Sequence, residues 1–323
     1  MDREPTDKPL DRSDDGVGQI HPYVINKDMG KPMAPYIDEF PQLNGDGLAI
    51  VPPTPEQIYT FDTQGWMLIP EVLSPDEIEE MREWATRLHF EPESIPEHER
   101  TPLAGPTQRL IDHPTVVGML HEFTANPSVS SQECYGFSLA ACPLWYRTAP
   151  SRRTAGKKES REFVPHNGNG LMRLPGDVHN YDSFPGKSFC PHLRVVWELN
   201  PVKHGQGGTL LITGSHKSVF TAPDEIQDPT SSCWTTYECP SGSVLFFAEA
   251  TTHSATAWTN EENDRIAIGT LYNQVEGGWG PPLSPHPELL AAMPPIRRTL
   301  FRGRFVEENV IGADYRRLYP KRP

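Results

Sequence analysis

A chain of 323 residues with a hydrophobic fraction of 36%, 35 prolines and 25 glycines predicts one catalytic domain with appendages, a modest core and many turns. A formal charge of −14 at pH 7 argues against a nucleic-acid polymer or an anionic membrane surface as partner, because a polyanion would approach against the protein's own field. The start, MDREPTDKPLDRSDDG, lacks an apolar h-region and no later run reaches the length of a membrane span, so a soluble, cytoplasmic protein is expected.

Residues 1 to about 55 are polar and proline-rich with weak periodicity, which reads as an extended arm or partly disordered leader. The segment from Phe61 to Pro70 reads as a short apolar strand ended by proline. A helix follows, capped by Ser74 with Pro75 at its first position and Glu77 completing a capping box. Ile78, Met81, Trp84, Ala85 and Leu88 fall at helical spacing and form its packed face. A second helix is expected from about Thr115 to Thr124.

From Ser131 onward short apolar runs alternate with Gly, Pro and Asn turns: Tyr135 to Leu144, Leu193 to Leu199, Thr209 to Ile212, Ser243 to Phe247 and Ile266 to Tyr272. The pattern predicts a mainly β fold with flanking helices, a sandwich or jelly roll. Residues 1–55 are therefore taken as a proline-rich arm and 56–323 as a catalytic domain with a C-terminal extension. Five cysteines at irregular spacings, with no CxxC pair, read as reduced thiols.

The run from Arg147 to Lys158 is densely basic in an acidic chain, and Arg152, Arg153, Lys157 and Lys158 are candidate contacts for a phosphate or carboxylate. A solvated loop is the competing reading. Trp145, Tyr146, Phe184 and Trp279 are candidates for stacking on a base, or else core aromatics.

Among twelve histidines, His253 stands out because a turn and buried strand, Gly242 to Phe247, lead into Glu249, Thr251 and Thr252 just before it. Arg265, twelve positions on, opens the next strand, where a guanidinium can grip a distal carboxylate in a fork. Iron(II) that activates dioxygen uses two imidazoles, commonly one carboxylate, and open positions for cosubstrate and gas.

Three pieces, FDTQGWMLIPEVLSPDEIEEM, GQGGTLLITGSHKS and GSVLFFAEATTHSATAWTNEENDRIAIGTLYN, together resemble the phytanoyl-CoA dioxygenase-like family of Fe(II)/2-oxoglutarate-dependent enzymes over residues 61 to about 275. The resemblance implies a double-stranded β-helix, the cupin-like jelly roll, and Fe(II), 2-oxoglutarate and O2 as cofactor and cosubstrates. It implies His166 in VPHNGNG and His253 as metal ligands, with Arg265 as the cosubstrate anchor.

Where the family carries a carboxylate two residues after the first histidine, this chain has Gly168. His-x-Gly resembles the iron/2-oxoglutarate halogenases, in which chloride takes the vacant position, and makes Gly168 the candidate halide pocket. A halogenase acting on an unactivated C–H of a small metabolite is the leading expectation, with a nucleotide such as deoxyadenosine monophosphate as one phosphorylated substrate. The alternatives are a hydroxylase, in which Asp177 or Asp182 folds back to supply the oxygen, and a non-catalytic jelly roll that binds a small ligand. His179 and His192 are placed near the site entrance, and His216 and His204 in loops.

Overall fold

The computed structural model describes residues 40–153, 163–167, 179–184, 186–220, 222–275, 277, 282–302, 305–306 and 309–310. Helix α1 (Pro55–Gln64) opens with a capping box in which Thr54 and Gln57 satisfy each other's backbone N–H groups. It stops at Gly65, which takes φ +78°, and a side chain there would collide with His216 and Thr251. Phe61–Gln64 is thus the end of a helix rather than the strand expected, and strand β1 is only Trp66–Ile69.

Helix α2 (Pro75–Phe90) has the expected Ser74/Glu77 capping box and buries Ile78, Met81 and Ala85. Helix α3 (Pro114–Phe123) follows, and then the strands β2 (Phe137–Ala141), β3 (Leu144–Arg147), β4 (Asp182–Phe184), β5 (Lys187–Phe189), β6 (His192–Glu198), β7 (Thr209–Leu211), β8 (Ser243–Ala248), β9 (His253–Ala255) and β10 (Arg265–Gln274). Helices α4 (Pro287–Ala292) and α5 (Pro295–Arg298) follow.

Among the described residues the principal sheet is antiparallel in the order β1-β8-β6-β10-β2, with β3 also paired to β10. A smaller layer is built on β7 and β9 and widened by single bridges from His253 to His166 and from Leu211 to Thr235. Two facing antiparallel sheets with helices against one of them form the double-stranded β-helix.

Strands β6 and β8 are buried on both faces, which explains the near-continuous apolar run of β8 and the apolar Val195–Trp197 centre of β6. Leu193, Val195 and Trp197 pack with the helices in the larger core. Val196, Leu245, Phe247 and Ala267 join Leu211, Tyr237 and Trp258 in a second core between the sheets. Arg194 and Glu198 share the face of Val196 by the two-residue period of a strand, so two charged side chains enter the barrel.

The last part of the N-terminal arm is docked. Arg297 on α5 donates to both Asp112 (2.8 Å) and Asp46 (2.6 Å), and the N–H of Gly45 also donates to Asp112 (3.0 Å). Burial pushes the Asp112 carboxyl up to about 6, with Arg297 working in the opposite direction. Residues 1–39 lie outside the described set. All five cysteines are free thiols, and among the described residues no helix is long and apolar enough to cross a membrane.

Candidate active site

His253 begins β9 and His166 lies beside it on the small layer. Each backbone N–H donates to the other's carbonyl, at 3.0 Å from His166 and 2.8 Å from His253. Residues in such a hydrogen-bonded pair project to the same side, and the two imidazole centroids are 4.2 Å apart. Residues 87 positions apart in sequence are therefore brought together by one antiparallel bridge.

The tautomers follow from the backbone. Nδ1 of His166 is 2.8 Å from the carbonyl of Val164, and Nδ1 of His253 is 2.8 Å from that of Thr251. A carbonyl only accepts, so Nδ1 carries a proton in both rings, and in the neutral form of each ring Nε2 presents the lone pair. A ring held this way by its other nitrogen is the usual arrangement of a metal-binding histidine. Burial holds the His253 imidazole neutral by lowering its pKa to about 4, despite the opposing charge of Glu249.

Both rings line a cavity of about 60 Å³ with Trp145, Arg194, Phe247 and Arg265 among its walls. Arg265 stands at the start of β10 and is clamped by Glu198 on β6, from Nε to Oε2 at 3.2 Å and from Nη2 to Oε1 at 2.5 Å. The Tyr237 hydroxyl donates to the same Glu198 (2.7 Å). Burial works against the Arg265 charge, but Glu198 and Tyr237 outweigh it and leave the group above the usual arginine range. Nη1 carries none of these bonds.

A second guanidinium, Arg194, donates from Nε to Glu249 at 2.7 Å. Glu249 is 4% exposed, and its other oxygen lies 3.8 Å from His253 Nε2. Burial raises its pKa, but the Arg194 guanidinium foremost among its neighbours pulls it down to about 2, so it is an anion. Arg194, Glu198 and Glu249 were not singled out as functional by sequence. The signal available for Arg194 and Glu198 was a pair of opposite charges on the same face of a strand as the apolar Val196.

The remaining candidates separate. Gly168, Asp177, Lys157, Lys158 and Trp279 lie outside the described residues, as does the side chain of Phe184. Arg152 pairs with Asp264 (2.7 Å), while Arg153 donates to the carbonyls of Thr148 (2.9 Å) and Trp258 (2.6 Å). Neither lines the cavity.

Asp182 is exposed and paired with Phe189, so it does not reach the histidines. Tyr146 stacks on His89 and donates to Asp264, away from the cavity that Trp145 enters. His179 and His192 are buried with rings 4.8 Å apart, and neither lines the cavity. His216 is buried and bonded to the carbonyl of Asp62, fixing the loop after β7. Among the described residues no three His, Cys, Asp or Glu side chains are already gathered around one point.

Two imidazoles oriented through Nδ1 by backbone carbonyls suit a divalent iron, and a guanidinium lining the same space suits an anionic cosubstrate. Among curated proteins none matches this chain. Solved structures of HygX from Streptomyces hygroscopicus share the fold. The form with iron bound superposes with a TM-score of 0.54 at 21% identity, over 80% of this chain and 98% of that one. The form with nickel and 2-oxoglutarate bound gives 0.53 at 21% over the same shares. The form that also holds hygromycin B gives 0.53 at 22%, again over 80% and 98%. The sequence profile described as Phytanoyl-CoA dioxygenase matches residues 61–267, a span that includes both histidines, Arg194, Glu249 and Arg265. This chain therefore belongs to the phytanoyl-CoA dioxygenase family and is an enzyme of the non-haem iron, 2-oxoglutarate-dependent class.

Proposed function

We propose that the chain is an Fe(II)/2-oxoglutarate-dependent oxygenase that hydroxylates a C–H bond of a small molecule, with His166 and His253 as metal ligands and Arg265 as anchor of the cosubstrate's distal carboxylate. The observation that carries this reading is the backbone-bridged histidine pair, each ring held at Nδ1 by a backbone carbonyl, set in one cavity with two guanidinium groups. When bound, iron with 2-oxoglutarate and O2 supplies the oxidant, and the balance is R–H, O2 and 2-oxoglutarate to R–OH, succinate and CO2.

Charge supports hydroxylation. Arg194 with Glu249 and Arg265 with Glu198 form two internally neutral pairs, and both histidines are neutral donors. A metal dication with a dianionic cosubstrate then enters a low-dielectric site without net charge. A chloride ligand would add an uncompensated anion, which such a site opposes.

Chlorination is the second reading, and Gly168, which has no side chain to offer the metal, is what favours it. The balance is then R–H, Cl⁻, H⁺, O2 and 2-oxoglutarate to R–Cl, succinate, CO2 and water. HygX has been solved with hygromycin B bound, and a small-molecule substrate is the corresponding proposal here. The occupied partners of Arg152 and Arg153 give no local support for a phosphate at that loop. Residues 56–323 are proposed as the catalytic domain, preceded by the arm.

Anaerobic addition of Fe(II) and 2-oxoglutarate should produce the visible charge-transfer band of a keto acid chelating iron. Oxygenation with chloride and a panel of small metabolites should then give products heavier by one oxygen. Products with the chlorine isotope pattern, lost in Gly168→Asp, would establish the second reading instead. A colourless protein that leaves 2-oxoglutarate intact would overturn both and indicate a ligand-binding module.

A further inference from the structure

We propose that Arg194 is a second anchor of the cosubstrate: its two terminal nitrogens donate to the carboxylate beside the keto group, while Arg265 takes the distal one. This rests on the oxygenase reading, with His166 and His253 at the metal. Both guanidinium groups line the one cavity, yet their backbones are well separated. Arg194 on β6 stands opposite Leu271 on β10, six residues along that strand from Arg265. At about 3.3 Å per residue the two positions are roughly 20 Å apart along the sheet. Long side chains converging from either end are what bring them to the same space.

Arg194 comes from the histidine end. It lies directly opposite Phe247 on β8, so the two side chains are neighbours on one face. The Phe247 ring packs against the His253 ring with centroids 4.7 Å apart. Arg265 instead meets Glu198, which stands opposite Ser243 at the other end of β8. A keto diacid laid between the two guanidinium groups has its keto acid toward the histidines and its second carboxylate toward Arg265.

The bonding of Arg194 suits this role. Nε donates to Oε1 of Glu249 (2.7 Å), and neither Nη1 nor Nη2 donates to a described residue. Glu249 is fixed in turn by its backbone N–H, which donates to the carbonyl of His192 (3.0 Å). The guanidinium is thus oriented from behind, and its two remaining nitrogens form the planar fork that matches a carboxylate. Charge favours the cosubstrate over an anionic substrate. Arg194 is already neutralised by Glu249, as Arg265 is by Glu198, so neither has net charge left to balance a further buried anion. Both can still donate to carboxylates whose charge the metal balances.

The test is anaerobic calorimetric titration of the iron(II)-loaded full chain with 2-oxoglutarate and, by competition, with 2-oxopentanoate. The second acid has the same keto-acid end but a methyl group in place of the distal carboxylate. Arg194→Met alone would strand Glu249, so the pair is removed together. Arg194→Met/Glu249→Gln is compared with Glu249→Gln, with circular dichroism verifying the fold. The double variant should bind both acids about 10- to 100-fold more weakly than Glu249→Gln. The loss should be equal for the two, because the contact is made to the end they share.

Unchanged affinity for both acids would overturn the proposal and leave the oxygenase reading standing. A loss confined to 2-oxoglutarate would overturn it too, placing Arg194 on the distal carboxylate. Failure of the wild type to bind 2-oxoglutarate would overturn the oxygenase reading and this one with it. Should either Glu249 variant fail to fold, Arg194→Lys is measured against the wild type, since it keeps the charge and loses the fork. Weaker binding of both acids is then expected, and equal affinity would overturn the proposal.

Discussion

Glu198 grips Arg265 through both of its carboxylate oxygens, across neighbouring strands and with neither side chain accessible to more than 3%. The anchor proposed for the cosubstrate is thus already one half of a buried ion pair. Its position is set before any ligand arrives, and only Nη1 is left for recognition.

Removing the carboxylate leaves a buried cation uncompensated. Glu198→Ala should cost about 3–5 kcal/mol, seen as a fall in Tm of roughly 6–15 °C by calorimetry of the metal-free protein. A Tm within 2 °C of the wild type would show that solvent reaches this pair.

His166→Ala and His253→Ala should each abolish the iron and 2-oxoglutarate charge-transfer band. The bridge between the two residues is made by backbone atoms, so His166→Ala keeps it and should shift Tm by only a few degrees. Retention of the band in either variant would remove that residue from the metal.

Gly269 lies on β10 with a virtual Cβ 2.5 Å from Cη2 of Trp145. Gly269→Ala must push that ring, a wall of the cavity, and should cost about 1–3 kcal/mol of stability. It should also raise the KM for 2-oxoglutarate. An unaltered KM would mean that Trp145 does not shape the cosubstrate's place.

His121 on α3 stacks on Phe40 at 4.5 Å between centroids, and its buried Nε2 has no hydrogen-bond partner among the described residues. Burial lowers its pKa to about 4. The unfolded chain takes up a proton near pH 6.5 and the folded one does not until about 4. The folded state therefore keeps its full stability above pH 6.5 and loses some as pH falls toward 4. Denaturant titrations of the metal-free protein should show His121→Leu losing less over this interval, by on the order of 2 kcal/mol. Parallel pH profiles would refute the assignment.

Local signals were legible in the sequence. Ser74, Pro75 and Glu77 mark the start of α2, and the alternation of apolar runs with turns located β6, β7, β8 and β10 to within two residues at each end. Helix α1 was misread because Phe61 and the Trp66–Ile69 strand look like one apolar run, although Thr54-Pro55-Glu56-Gln57 already carried a capping box. The histidines and Arg265 were found by motif. Their partners were not, because Glu198 meets Arg265 across a strand register, and Arg194 meets Glu249 between β6 and the end of β8. Spacing along the chain does not encode such pairs.

The Arg297 contacts reach beyond local stability. The family-matched span, residues 61–267, contains Asp112 but leaves out both Asp46 and Arg297, the flanking residues that close over it. A fragment trimmed to those borders would keep every proposed iron-binding group and yet strand a carboxylate in the interior with its counter-charge cut away. The two flanks thus meet like the ends of a belt at one buckle, and the smallest autonomous folding unit is wider than the family signature.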